Sequence, residues 1–174
     1  MCDSEKHSRI RSSIERRIND ARFPEINTVD AFDFDFDPDR KCVRARYVFI
    51  AKDTNAIFIG NPGTGKTFLA RALAFKACQA QKRVVLTSAP RMLTDLQGAG
   101  IHGSLDRALR RYVRADLLAV DDFAVLAMES AQAKLAFQVI AERHDYRRAS
   151  LIAPDIQHGE YAGKPATRIS GRVR

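Results

Sequence analysis

An apolar stretch that runs directly into a glycine-rich turn, and out again into a helical pattern, constrains this chain more than any other feature. The segment reads AIFIGNPGTGKTFLARALAF from Ala56 to Phe75. Its centre, Gly60 to Thr67, satisfies G-x-x-x-x-G-K-[ST], the spacing of a phosphate-binding loop. Glycines let the backbone curl so that successive amide hydrogens face one anion, and the helix that follows presents its positive end to the same place. The expected nucleotide contacts are Gly60, Asn61, Pro62, Gly63, Thr64, Gly65, Lys66, Thr67 and Phe68. Within them Lys66 reaches toward the β- and γ-phosphates of ATP and the Thr67 hydroxyl serves Mg²⁺.

The flanking pattern places this loop in an α/β fold. Ala56–Ile59 reads as a strand, Phe68–Ala80 as a helix with Leu69, Leu73 and Ala77 four apart, and Arg83–Thr87 as a second strand. Ser104 stands where it would cap a helix whose inner stripe is Leu105, Ala108, Leu109 and Tyr112. Leu117–Val120 is a third strand, Ala131–Arg143 a further helix and Ser150–Ala153 the opening of a fourth strand. Strands alternating with helices predict a mainly parallel central sheet between two helical layers.

A phosphate loop does not choose a reaction by itself. The stretch DLLAVDDFAVL ends an apolar strand in Asp121 and Asp122, about fifty-five residues after Lys66. In P-loop hydrolases the first such carboxylate holds the magnesium site and the second polarises the attacking water. Asp121 is therefore the candidate metal residue beside Thr67, and Asp122 the candidate catalytic residue beside Lys66. Asp122 is one methylene shorter than a glutamate, which shortens its reach as a base.

The net charge of +8 points to a polyanionic partner. Two segments concentrate it. Ser8–Phe23 sets Ile10, Ile14 and Ile18 four apart among Arg9, Arg11, Arg16 and Arg17, predicting a basic amphipathic helix stopped by Pro24. The Leu105 helix turns Arg107, Arg110, Arg111 and Arg114 outward, where they can meet a DNA backbone or stand solvated. Phe32, Phe34 and Phe36 alternate with Asp33, Asp35 and Asp37 as a short extended segment. A calcium loop is disfavoured there, because Pro38 and Arg44 occupy the positions of its turn glycine and bidentate glutamate. Cys2, Cys42 and Cys78 fit neither a disulfide framework nor a zinc site. No apolar run of membrane-spanning length and no signal-peptide core are seen, so a cytoplasmic location is expected.

Taken in order, ERRINDARFP, VDAFDFDF, GNPGTGKTFLARAL, GSLDRALRRYVRADLLAVDDFAVLAM and VIAERHDYRRAS resemble the IstB-type transposition helper ATPases, AAA+ relatives of the bacterial helicase loader DnaC. The resemblance covers roughly Ile14 to Ile152. It implies an AAA+ P-loop domain that binds and hydrolyses ATP with Mg²⁺, binds duplex DNA as an ATP-dependent homo-oligomer and assists a transposase. Read with the residue pattern, the chain divides into a basic amphipathic N-terminal helix over 1–24, an AAA+ ATPase core over 25–153 and, from its Gly- and Pro-containing sequence, an irregular basic tail over 154–174. The family's strand closing in Thr-Ser-Asn is replaced here by LIAPDIQ, with Asp155 at the position of the sensing Asn and Pro154 interrupting the ladder. The extra helical region with which such proteins begin is represented only by the Ser8–Phe23 helix. A member shortened at both ends, with weakened activation between neighbours, is the resulting expectation. Two other readings stay open: a nucleotide-dependent DNA- or partner-binding module without hydrolysis, and a small-molecule P-loop kinase using Arg110 and Arg111 as a lid.

Overall fold

A computed structural model describes residues 2–32, 55–58, 63, 65–123 and 129–153. Four parallel strands form one sheet in the order β1–β4–β3–β2, with β1 at Ala56–Ile57, β2 at Val84–Ser88, β3 at Leu117–Asp121 and β4 at Ala149–Ala153. Helix α1 spans Cys2–Ala21 and α2 spans Lys66–Gln79. Helices α3, Ala89–Ile101, and α4, Leu105–Val113, lie between β2 and β3, and α5, Ser130–Asp145, lies between β3 and β4.

The residues of β3 show why the sheet is covered on both sides: Leu117, Leu118, Ala119 and Val120 are all buried. Successive side chains point to opposite faces. Leu117 and Ala119 join α2 with Leu69, Leu73 and Ala77, whereas Leu118 and Val120 join α3, α4 and α5 with Met92, Leu96, Leu109 and Val139. Full burial of one such leucine or valine contributes about 1.5–3 kcal/mol. The α2 side is built from small residues, with Ala70, Ala74 and Ala77 of the helix facing Ala119, Ala149 and Ala153 of the strands. Short side chains on both surfaces let the helix lie close to the sheet.

Strand order follows from handedness. From β1 the chain crosses to β2 at the far edge, then returns through β3 and β4 until it lies beside β1. Right-handed crossovers that reverse direction must change faces. Helix α2 accordingly covers one face and α3, α4 and α5 the other. The reversal leaves a crevice at the carboxyl ends of the strands near β1, where ligands of open α/β sheets bind.

At the opposite end a buried arginine locks the layers. Arg143 of α5 is fully buried, and its guanidinium donates to the carbonyls of Tyr112, Val113 and Ala115 at 2.7, 3.2 and 2.8 Å. It also donates to the Ser150 hydroxyl at 2.9 Å and to the Ala149 carbonyl. These bonds satisfy last-turn carbonyls of α4 that have no partner within the helix. Burial, reinforced by the nearby charge of Arg148, lowers the Arg143 pKa to about 10, against the opposing pull of Asp116.

Several boundaries differ from the sequence reading. Helix α1 begins at Cys2 and stops at Ala21, because Arg22 turns into the left-handed region at φ 53° before Pro24 is reached. Phe23 then packs edge-on against Phe75, with ring centroids 6.0 Å apart. Of the expected isoleucine stripe, Ile18 packs on the core while Ile10 remains exposed. Arg17 joins α1 to the α2–β2 turn by donating to the Gln81 carbonyl at 2.7 Å. Helix α3 is additional to the expected elements; Ser88 precedes it and Pro90 sits in its first turn, a compatible place for proline. Ser104 occupies the N-cap of α4, but its hydroxyl donates back to the Ala99 carbonyl at 3.4 Å instead of capping the helix. The alternating segment beyond Phe32, residues Asp33 to Arg44, and the C-terminal stretch with Pro154 and Asp155 lie outside the described residues.

Candidate functional site

The crevice is bounded by the N-terminus of α2 and the carboxyl end of β3. Gly65 is the N-cap of α2, with φ 80°. A side chain there would meet two obstacles: left-handed backbone, and a Cβ 2.7 Å from Cε2 of Phe32. Lys66, Thr67 and Phe68 follow as the opening residues of the helix, and the Leu69 amide closes its first turn on the Gly65 carbonyl at 2.9 Å. The first turn carries no acidic side chain, so the positive end of the helix dipole is uncompensated by its own residues. Gly63 is exposed and also left-handed, at φ 77°. Gly60, Asn61, Pro62 and Thr64 lie outside the described residues.

Asp121 closes β3, in register with Ala153 of β4 and Ser88 of β2. The Thr67 hydroxyl donates to its Oδ1 at 2.9 Å. This contact spans the end of β4, since β1 and β3 flank that strand and adjacent strands are about 4.8 Å apart. Asp122 follows at φ 53°, and its amide donates to the same Asp121 oxygen at 3.2 Å. Asp is among the residues that tolerate this conformation, and non-glycine residues held there cluster at functional sites. The turn exposes the Asp122 side chain beside the crevice while Asp121 stays half-buried.

Thr67 and Asp121 together offer one hydroxyl and one carboxylate, hard oxygen donors suited to Mg²⁺. Such a set fits an ion that keeps most of its remaining ligands as water and substrate phosphate. Among the described residues no cluster of three or more His, Cys, Asp or Glu side chains forms a self-sufficient metal cage.

The structure thus brings Lys66, Thr67, Phe68, Asp121 and Asp122 to one end of the sheet. The four arginines of the α4 region do not join them. Arg107 and Arg110 are exposed on α4, Arg114 forms its C-cap, and Arg111 pairs with Asp95 of α3 at 3.6 Å. The Arg111 guanidinium also lies 5.6 Å from the centre of the Tyr112 ring. Tyr112 is buried and donates its hydroxyl to Asp95 at 2.8 Å; burial and that hydrogen bond push its pKa upward.

One contributor was hidden in the sequence. Phe32 follows a single 3-10 turn at Val29–Ala31, and its ring packs over Gly65 and lies 5.8 Å from the ring of Phe68. It thereby ties the segment after α1 to the start of the phosphate loop's helix. The alternating aromatic pattern signals an extended segment, and nothing in that pattern names Gly65 as its neighbour.

The chain matches the sequence family described as IstB-like ATP binding protein over residues 1–162. It is 37% identical over 152 residues to the insertion sequence IS21 putative ATP-binding protein of Pseudomonas aeruginosa, covering 85% of this chain and 57% of that protein. It is 32% identical over 138 residues to the insertion sequence IS5376 putative ATP-binding protein of Geobacillus stearothermophilus, covering 77% of this chain and 55% of that one. The chain therefore spans little more than half the length of these relatives. Among solved structures it resembles the DnaC helicase loader, with TM-score 0.56 and 21% identity over 66% of this chain and 68% of that one. It likewise resembles the replication initiator DnaA bound to AMPPCP and single-stranded DNA, with TM-score 0.58 and 21% identity over 70% of this chain and 38% of that one. At these identities the likeness establishes the fold, an α/β P-loop domain of AAA+ type. Among the described residues no helix is long and apolar enough to cross a membrane.

Proposed function

Given that the chain belongs to the IstB-like ATP-binding protein family, we propose that it is an insertion-sequence helper protein that binds and hydrolyses ATP and assists a transposase on duplex DNA. The observation that carries this reading is the 2.9 Å bond from Thr67 to Asp121, which joins the start of the phosphate-loop helix to the end of β3.

In this reading the backbone amides at the start of α2 and the Lys66 ammonium hold the phosphates of ATP. Thr67 and Asp121 hold Mg²⁺, which when bound neutralises charge on the β- and γ-phosphates. Asp122, exposed beside them, orients the attacking water. Phe32 steadies Gly65 so that the loop keeps its shape as phosphates come and go. Duplex DNA is met through its backbone by the outward arginines, including Arg107, Arg110, Arg111 and Arg114, and ATP promotes assembly of several copies. The cytoplasm is where ATP, Mg²⁺, DNA and a transposase are found together.

The experiment is steady-state ATP hydrolysis with Mg²⁺, with and without duplex DNA, for the parent chain and Lys66→Ala. DNA-stimulated phosphate release that disappears in Lys66→Ala is expected. ATP binding without release in the parent would replace the motor with a nucleotide-dependent binder. Transfer of the phosphoryl group to a nucleoside or nucleotide would replace it with a kinase.

A further inference from the structure

The strands begin in register as well as end in register. Val84, Leu117 and Ala149 are paired neighbours on β2, β3 and β4. The residue before each is therefore Arg83, Asp116 and Arg148, one row across the amino-terminal edge of the sheet. Asp116 serves both arginines: its Oδ1 accepts from Arg148 at 2.7 Å, and its Oδ2 lies 3.8 Å from Nε of Arg83 and accepts the Arg83 amide at 2.8 Å. Arg83 also donates to the Arg114 carbonyl at 2.9 Å, drawing the α4–β3 turn into the same row. The three turns feeding these strands add Lys82, Arg114 and Arg147, all exposed.

This edge gathers five cations around Asp116, with a second carboxylate, Asp145, at the end of α5. Helices α2, α4 and α5 all end here, and basic residues at helix C-termini offset the dipole. Each helix end supplies roughly −0.5 charge, so three of them cancel only about 1.5 of the surplus. With Asp116 and Asp145 counted as well, roughly 1.5 positive charges remain in surplus. The platform beneath is rigid, because Arg143 bonds the last turn of α4 to the start of β4 directly below it. Lys82 and Arg147 are fixed by tight helix-ending turns, the Lys82 amide bonding the Ala77 carbonyl at 3.0 Å and Arg147 standing at φ 49°. A row of cations on a rigid end, spread over three successive strand starts with the exposed ring of Tyr146 beside Arg147, matches a regular array of phosphates better than a single small anion.

We infer that the amino-terminal edge of the sheet, through Lys82, Arg83, Arg114, Arg147 and Arg148, is a docking surface for the phosphate backbone of duplex DNA, at the end of the domain opposite the nucleotide. The inference rests on the proposed role at DNA and extends it, since only Arg114 belongs to the α4 set. With the two surfaces at opposite ends, nucleotide and DNA are held at once without competing for the same cations.

The test is anisotropy of a labelled random-sequence duplex with the full chain across a salt series, comparing the parent with Lys82→Gln/Arg147→Gln. Both positions are exposed and outside the Asp116 row, so circular dichroism and affinity for a fluorescent ATP analogue should not change. Loss of two phosphate contacts should weaken DNA binding by about tenfold and flatten the slope of log affinity against log salt by about 1.8. Unchanged affinity and slope in this variant, with the parent binding DNA, would overturn the edge surface and leave the proposed function standing. Failure of the parent itself to bind duplex at low salt would remove both. Arg107→Gln/Arg110→Gln, measured in parallel, reports separately on the outer face of α4.

Discussion

The Thr67 hydroxyl and the Asp121 carboxylate meet at 2.9 Å although one opens α2 and the other closes β3, 54 positions apart in the chain. Neither residue has this partner unless the sheet is in register and α2 lies close upon it. The bond is thus a gauge of whether the crevice is assembled.

Thr67→Ala should lose this bond and one magnesium oxygen together. Nucleotide affinity measured with Mg²⁺ is expected to fall by about tenfold or more, the equivalent of ~1.4 kcal/mol, with little change when EDTA replaces the metal. Thr67→Ser keeps the hydroxyl and should stay within about threefold of the parent. Equal losses with and without metal would assign Thr67 a purely architectural role.

Gly65→Ala combines left-handed backbone with a Cβ 2.7 Å from the Phe32 ring. Destabilisation of about 1–3 kcal/mol in urea unfolding is expected, along with weaker ATP binding. Phe32→Ala removes the steric part only. The double variant should therefore be less unstable than the sum of the single ones, by roughly 0.5–2 kcal/mol in a cycle. Strict additivity would show that the ring does not press on this position.

Arg143→Met should be among the most damaging substitutions away from the crevice. It strands buried carbonyls of Tyr112, Val113, Ala115 and Ala149, and each buried acceptor left unsatisfied costs about 1–3 kcal/mol. Arg143→Lys keeps a charge but lacks the planar fork, and should rescue only part of the loss. Urea midpoints rank the three proteins, parent first and methionine last.

Cys78 is buried against α1, and burial pushes its thiol pKa from 9.0 to about 11, partly opposed by Arg17. A folded-state value above the unfolded one favours folding below about pH 9, and that contribution is lost as pH rises toward 11. Between pH 8.5 and 11 the parent should lose more stability than Cys78→Ala. In a background carrying Cys2→Ser and Cys42→Ser, a thiol reagent at pH 8 should react with Cys78 only after denaturant is added. Rapid reaction in the native protein would contradict the packing of α1 on α2.

The phosphate loop and the acidic end of β3 were legible because each is a local pattern, a fixed spacing in one case and an apolar run ending in carboxylates in the other. The alternating α/β order was legible for the same reason. Helix α3 was not: Met92, Leu93 and Leu96 mark its inner face, but Gly98 and Gly100, poor helix formers, interrupt the pattern in its second half. Arg143 stood in the sequence only as the last residue of an expected helix, and no local pattern states that α4 ends beside it. The contact of Phe32 with Gly65 exists only through tertiary packing, and the row Arg83, Asp116 and Arg148 only through strand register. Register joins residues far apart in sequence, and a single chain read in order does not display it.

The place of β4 between β1 and β3 sets an order of events during synthesis. The strand that leads into the phosphate loop leaves the ribosome first among the described strands, yet its only neighbour in the described sheet is the last; the Ser150 amide reaches back 95 positions to the Asn55 side chain at 3.0 Å. Pairing that closes so long a stretch of chain is slow relative to local contacts. A nascent chain halted between Asp122 and Ala149 carries the whole nucleotide signature and has no finished crevice in which to use it. The ability to bind ATP therefore arrives late, as a report that the sheet is finished.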